Sequence, residues 1–303
     1  MKPVLRIGTR GSPLALAQTM LVRAALIAAH GLAEDAMETV VISTEGDRVQ
    51  NRPLAEIGGK ALWTRELDHA LLDGRIDLGV HSMKDVETRL AGGISLVAFL
   101  PRANPSDRLV GAASLAEIPH GATVGTSSPR RAAQLCARRP DLAVVPLRGN
   151  VGTRLRKVAD GEVAATFLAS AGLDRLGIAA GVELAIADWL PASAQGAVGI
   201  TARSDDLATI ALLHPLDDAP TRAAVEAERG LLEGLGGSCH TAVAAHASFT
   251  PGLQIAAELL SPDGSERIFG HRSSNGESPA DMGRALAADL IAKASASLRE
   301  TLG

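Results

Sequence analysis

Residues 123–168 run TVGTSSPRRAAQLCARRPDLAVVPLRGNVGTRLRKVADGEVAATFL. Thr123–Gly125 is a short stretch with strand character, and Ser128-Pro129 opens a helix. Serine accepts a hydrogen bond from a free N–H at a helix start, and proline suits the first helical position. Apolar spacing carries that helix over Pro129–Arg138. Leu142–Leu147 is strand-like again, Val151–Ala159 helical and Ala164–Leu168 a strand. Strands alternating with helices predict an α/β domain with a largely parallel sheet.

The same grammar extends toward the N-terminus. Val4–Gly8 predicts a strand and Ser12–His30 a helix, capped by Ser12 with Pro13 at its first position. Glu38–Thr44 is a β-branched run, Ala61–Asp73 a helix ending in Asp-Gly, and Ile76–His81 a strand. Leu109–Ala112 is strand-like, and Pro191–Gly199 leads as a crossing segment into the strand Val198–Ala202. The remainder differs in kind. Thr221–Leu235 predicts a helix, Val243–Thr250 with Leu253–Ser261 a hairpin, and Ser278–Leu302 one long amphipathic helix. The chain is thus expected to hold two α/β lobes and a smaller α+β domain.

Composition narrows the function. Of 303 residues, 46% are hydrophobic and 21% charged, which fits folded domains. A net charge of −4 argues against a general nucleic-acid binder. No apolar leader with a cleavage site opens the chain, and no membrane span of roughly 18 or more apolar residues is expected. Cys136 and Cys239 are the two cysteines, too few for a disulfide framework, and the cytoplasm is the expected location. The eight histidines show no metal-ligand spacing. Of the 30 basic residues 25 are Arg. That excess reflects either compositional bias or an anionic ligand gripped by guanidinium forks.

Position decides between the two. Ligands of open α/β sheets bind beyond the carboxyl ends of the strands. Four loops there combine small or hydroxyl residues with cations: Thr9–Ser12, His81–Asp85, Gly125–Arg131 and Arg148–Arg154. Helix N-termini favour anions through free N–H groups and the helix dipole. One such loop is ordinary capping. Four predict a cleft lined by Arg10, Lys84, Arg130, Arg131, Arg148 and Arg154, suited to several carboxylates or phosphates. Arg156 and Arg175 either join it or are solvated surface charges. No GxxxxGK[ST] or GxGxxG loop is present, which disfavours nucleotides. Asp85, beside Lys84, is either a turn residue or a carboxylate that stabilises a cation or moves protons. Cys239, in LGGSCH, follows a glycine pair that lets the backbone approach a ligand, whereas Cys136 fits an inert helical thiol.

Taken together, these residues resemble one family. RIGTRGSPLALAQ, GGKALWTRELDHALLDGRIDLGVHSMKD, GTSSPRRAAQL, LRGNVGTRLRK, LASAGLDRLG, QGAVGI and GGSCH are similar to successive signatures of the porphobilinogen deaminases, in order from residue 5 to 240. The resemblance implies two periplasmic-binding-protein-like lobes with mixed, largely parallel sheets, plus a smaller α+β C-terminal domain. It divides the chain into 1–98 with 197–214, then 99–196, then 215–303. It implies a transferase that joins four porphobilinogen molecules head to tail on a covalent dipyrromethane primer. Hydrolysis then releases hydroxymethylbilane.

By the same resemblance Cys239 forms the thioether to the primer and Asp85 is the catalytic carboxylate, itself touching the cofactor. Lys84, Ser128, Arg131 and Arg154 hold the cofactor. Arg10, Ser12, Arg148 and Arg154 take the substrate, assisted by Arg130 and Arg175. Lys60 lies in a covering loop and Gln195 in a hinge. A monomer without metal, membrane or nucleic-acid partner is implied. Departures from the pattern are Ser193-Ala194 for Val-Gly, Thr201 for Glu, Pro129 for an apolar residue, Trp63 for Phe, Ser238 for Gly and Ala242 for Pro. The rival from another class is a non-catalytic two-lobed anion-binding protein or sensor. It needs neither Asp85 nor Cys239.

Overall fold

The computed structural model describes residues 5–44, 64–236, 241–249 and 251–302. Lys60, Trp63, Ser238 and Cys239 lie outside the described residues. In chain order the first elements are β1 (Leu5–Thr9), α1 (Pro13–His30), β2 (Met37–Val41), α2 (Arg65–Leu72), β3 (Leu78–Ser82) and β4 (Ile94–Phe99). Then come β5 (Asp107–Val110), β6 (Thr123–Gly125), α3 (Pro129–Arg138), β7 (Ala143–Val145), α4 (Val151–Ala159), β8 (Ala165–Ala169), α5 (Ser170–Arg175) and β9 (Val182–Glu183). The chain continues with β10 (Val198–Arg203), α6 (Leu207–Leu213), α7 (Ala219–Gly234), β11 (Val243–Ser248), β12 (Gln254–Leu260), β13 (Arg267–Ser273), α8 (Pro279–Lys293) and α9 (Ala296–Glu300).

Contacts divide the chain into two compact units. One is Met1–Arg52, Ile57–Ala103 and Ala197–Arg222; the other is Pro53–Glu56, Asn104–Gly196 and Ala223–Gly303. Most of the stretches expected as second and third domains, 104–196 and 223–303, falls in one unit.

The first unit is built on a mixed sheet ordered β2-β1-β3-β10-β4. β1 runs parallel to β2 and β3, and β10 antiparallel to β3 and β4. Its core joins Ile7, Leu78, Val80, Val198 and Ile200 with Val22 and Leu26 of α1. α1 begins as expected: the Ser12 side chain accepts from the Ala15 N–H, and Gly31 ends the helix at φ 64°. One expectation is corrected here. α1 has 18 residues and mean hydropathy 1.3, enough by length and composition to cross a membrane. Burial of Val22 and Leu26 at 0% exposure gives the apolar character a core role.

The second unit holds a mixed sheet ordered β7-β6-β8-β5-β9 and an antiparallel one ordered β11-β12-β13. In the mixed sheet, Phe167 stacks on Trp189 with ring centroids 4.7 Å apart beside Leu109, Val124 and Leu135. The three-stranded sheet packs against α7 and α8 through Ala227, Leu231, Ile255, Leu259, Leu286 and Leu290. The C-terminal helix expected over Ser278–Leu302 is two helices. Ala294 is extended (φ −71°, ψ 143°), and Ser295 starts α9 by accepting from the Leu298 N–H. Glu266 holds the break, accepting from the Ser295 N–H at 2.9 Å and hydroxyl at 2.5 Å.

Candidate active site

The first unit gathers four of the expected residues at the ends of β1 and β3. Arg10, Ser12 and Asp85 line a small pocket of about 60 Å³, with Gln18, His81 and Ser82 completing its wall. Lys84 is half-buried on the same 3₁₀ turn, Met83–Asp85. Backbone and packing fix that turn. The Met83 N–H donates to the Ala197 carbonyl at 3.1 Å, and the Val86 N–H to the Met83 carbonyl at 3.2 Å. Just before the turn, Gln18 and Ser82 exchange hydrogen bonds at 2.8 and 3.0 Å. Burial pushes the His81 imidazole down to about 4, and the positive charge of Arg10 adds to this.

The second unit carries the other expected residues on the loops opening α3 and α4. The Ser128 hydroxyl caps α3, accepting from the Arg131 N–H at 3.4 Å. Asn150 caps α4, accepting from the Thr153 N–H at 3.0 Å. Arg154 donates from Nε to the Gly149 carbonyl at 2.9 Å. Gly149 sits at φ 111°, a conformation open to glycine alone. Arg148 and Arg156 are half-buried and exposed respectively. Arg175 donates to the Gly196 carbonyl at 2.8 Å, and burial lowers its pKa.

Arg130 and Arg131, expected at the cleft, sit at the start of α3 and are buried. They are 3% and 5% exposed. Both clamp one carboxylate that the sequence did not flag, Asp107, itself 0% exposed. Asp107 Oδ1 accepts from Arg131 Nη2 at 2.6 Å and Gln195 Nε2 at 2.8 Å. Its Oδ2 accepts from Arg130 Nη2 at 2.9 Å, Arg131 Nε at 3.2 Å and Trp189 Nε1 at 2.9 Å. Burial alone would raise the Asp107 pKa, but the two guanidiniums more than reverse it. A second buried acid extends the network. Arg130 donates to Gln134 at 2.8 Å, and Gln134 donates to Glu258 at 2.7 Å. Arg138 and Arg267 cover Glu258 from the outside. Gln195, expected as a hinge residue, is therefore part of a buried network.

Next to it Ala194 stands at φ 59°, the one non-glycine in the left-handed region among the described residues. The buried Glu228 carboxylate accepts from the Ala194 N–H and, at 2.7 Å, from the Ala247 N–H. Left-handed backbone costs a residue with a Cβ about 1–2 kcal/mol. Ala194→Gly is expected to stabilise the protein by about 1 kcal/mol. A melting temperature equal to or below that of the parent would disprove the strain.

A larger pocket of about 390 Å³ lies in the second unit, beside Leu115, Arg138, Leu184 and Trp189. None of the expected site residues lines it, and Arg138 is already engaged with the Asp188 carbonyl at 2.7 Å. The candidate chemistry stays with the loops. Among the described residues no group of three or more acids, histidines or cysteines is placed to hold a metal.

Comparison with known proteins defines the class. The family model "Porphobilinogen deaminase, dipyromethane cofactor binding domain" matches residues 5–211, and "Porphobilinogen deaminase, C-terminal domain" matches 222–292. A protein named porphobilinogen deaminase from Sphingopyxis alaskensis is 56% identical over 279 residues, covering 88% of this chain and 87% of its own. Another of that name from Paracoccus denitrificans is 50% identical over 297 residues, covering 96% and 95%. Among solved structures, the chain is similar to the VFT2 domain of Bordetella pertussis BvgS. It has a TM-score of 0.41 and 15% identity, covering 71% of this chain and 86% of that one. A periplasmic sulfonate-binding protein from Methylobacillus flagellatus has a TM-score of 0.38 and 16% identity, covering 75% and 66%. The matched domains define a transferase of tetrapyrrole synthesis with a dipyrromethane cofactor. The chain belongs to the porphobilinogen deaminase family.

Proposed function

We propose that this chain deaminates porphobilinogen and joins four molecules of it head to tail on a dipyrromethane primer bound through Cys239. One observation carries the site assignment. α1, α3 and α4 each open on a side-chain cap, carry no acid in the first turn, and have arginine next to or within it. Free N–H groups and cations together suit a ligand rich in carboxylates. The acetate and propionate arms of linked pyrroles are such a ligand. Arg130 adds a buried Nε–H that meets no acceptor, so the donor set fits the cofactor.

In this reading Ser128, Arg131, Arg154 and Lys84 hold the cofactor carboxylates. Arg10, Ser12, Arg148 and Arg154 orient the incoming carboxylates, with Arg130 and Arg175 in support. The dipyrromethane supplies a nucleophilic pyrrole carbon. In the substrate the C–N bond of the aminomethyl arm breaks and ammonia leaves. A C–C bond to the primer then forms, and a proton leaves the attacking carbon. Asp85 accepts a hydrogen bond from the substrate pyrrole N–H and offsets the positive charge that develops there. Gln195 belongs to the segment entering β10.

A three-domain division at 98/99, 196/197 and 214/215 is supported by the three sheets. A monomer in the cytoplasm, without nucleic-acid or membrane partner, accords with the net charge of −4 and with the core role of α1.

Intact mass of the purified protein tests this reading. The parent should exceed its sequence mass by two linked pyrrole units, and Cys239→Ser should lack the excess. A parent that carries no excess and takes up none from added porphobilinogen would leave the anion-binding protein as the better reading.

A further inference from the structure

One buried carboxylate of the second unit has no part in the chemistry proposed above. Glu258 comes from β12 of the C-terminal sheet, yet it meets α3, the helix whose first turn carries Arg130 and Arg131. It is 1% exposed. Its Oε2 accepts from Gln134 Nε2 of α3 at 2.7 Å, across 124 residues of sequence. Its Oε1 accepts from Arg138 Nη2 at 3.3 Å and from Arg267 Nε. The two arginines are partly exposed, whereas Gln134 is 0% exposed. The link that runs inward, from Glu258 to Gln134, is therefore shut off from water.

The directions of these bonds set the orientation of Gln134. Glu258 accepts from each of its partners. The Leu190 carbonyl also accepts, taking a second bond from Gln134 Nε2 at 3.1 Å. An amide donates from its nitrogen alone. Gln134 must therefore turn its nitrogen to Glu258 and Leu190 and its oxygen to Arg130, whose Nη1 donates to it at 2.8 Å. Arg130 Nη1 also donates to the Leu190 carbonyl at 3.0 Å, and Nη2 to Asp107 at 2.9 Å. Both ends of the guanidinium fork are thus engaged, and the Nε–H is the donor left over, buried and without an acceptor. Charge follows the same path. Among the described residues, Arg130 and Arg131 share one carboxylate in contact with them, Asp107. Burial lowers the Arg130 pKa; Asp107 acts against this, Arg131 adds to it, and Glu258 acts against it from beyond Gln134.

We propose that Glu258 is a positioning residue for substrate binding: acting through Gln134, it fixes Arg130 in the orientation that leaves its Nε–H for an incoming carboxylate, so that the C-terminal sheet takes part in holding the substrate. This rests on the function proposed above, in which Arg130 supports the carboxylates of porphobilinogen. Those carboxylates are remote from the bonds that break and form. An interaction with them holds the substrate and its transition state alike, and its loss shows in KM rather than in kcat.

The test measures kcat and KM for porphobilinogen on the holoenzyme, with cofactor loading checked by intact mass. Glu258→Gln keeps the size of the side chain but removes its charge, and its amide no longer dictates which way Gln134 turns. KM should rise about 3- to 10-fold while kcat stays within about 2-fold of the parent. A residue that served the fold alone would instead reduce the amount of working enzyme, lowering kcat at an unchanged KM. Gln134→Met cuts the path and should raise KM by a similar factor. Because the two residues act in series, Glu258→Gln added to Gln134→Met should change KM by less than about 2-fold more. Glu258→Leu covers the case in which the glutamine variant does not fold, since an apolar residue can often replace a buried ion pair; it should show the same rise in KM. The proposal is overturned if KM stays parental in the folded Glu258 variant, if kcat falls at an unchanged KM, or if the two single effects multiply in the double variant. It also falls if neither Glu258 variant folds, which would assign the residue to the fold alone. A parent that binds porphobilinogen without turning it over would count against the transfer reaction, and the same fold-changes, read in Kd by calorimetry, would still decide the role of Glu258.

Discussion

Asp85→Ala is expected to lower turnover of porphobilinogen by about a thousandfold or more while the protein folds as before. The turn bearing Asp85 is held by backbone bonds from Met83 to Ala197 and from Val86 to Met83. Met83 is buried beneath it. None of these contacts uses the carboxylate, so melting should shift by no more than about 3 °C. Only the reaction loses a partner for developing charge. Asp85→Asn should be nearly as damaged, since an amide accepts a hydrogen bond but carries no charge. The assay pairs steady-state turnover with thermal melting. A variant within tenfold of the parental rate would remove Asp85 from the chemistry. Intact carboxylate binding in the inactive variant would show that the arginine set works on its own.

Asp107→Ala should act in the opposite way, on the fold before the chemistry. It leaves two guanidiniums, at 3% and 5% exposure, without their shared anion. It also strands the Trp189 indole N–H and one bond of Gln195. Breaking a buried ion pair from one side costs about 3–5 kcal/mol, and stranded donors add about 1–3 kcal/mol each. Against a total stability of about 5–15 kcal/mol, that should leave little folded protein. Soluble yield and urea unfolding report this directly. An Asp107→Ala chain as stable as the parent would show that the network contributes nothing. The same carboxylate makes stability depend on pH. Its folded pKa is depressed, so the contribution is full above the unfolded value of about 4 and is lost as pH falls through the folded one. Acid unfolding should begin below pH 4 rather than near neutrality.

Short-range signals made much of this architecture legible. Ser12-Pro13 and Ser128-Pro129 fix two helix starts within four residues of chain, and the observed caps use those hydroxyls. Thr123–Gly125, Pro129–Arg138 and Val151–Ala159 begin and end where their spacing places them. Asp107 was illegible because its partners come from 23, 24, 82 and 88 residues away. In sequence, Arg130 and Arg131 stand as two cations beside a helix start, and their counterion does not stand near them. Two adjacent arginines in a first turn that lacks any acid were the one available signal that a distant carboxylate must answer them. Glu258 was passed over for a similar reason, since Gln134 lies 124 residues before it. β4 and β13 were missed as strands, and the break at Ser295 depends on Glu266 from another element.

The place of β10 has a consequence for the living cell. It lies between β3 and β4, pairing with both, yet it follows β4 by about a hundred residues of chain. A ribosome that has delivered β1 to β4 has not yet delivered the strand that joins β3 to β4. Meanwhile β5 to β9, between residues 107 and 183, emerge complete. Translation therefore releases the later sheet to fold first, and the N-terminal one must wait with bare strand edges, the state in which nascent chains stick to one another. Truncated transcripts ending before codon 198 should yield aggregates rather than a shortened soluble enzyme. Synonymous slowing of translation just past that point should raise the yield of native protein.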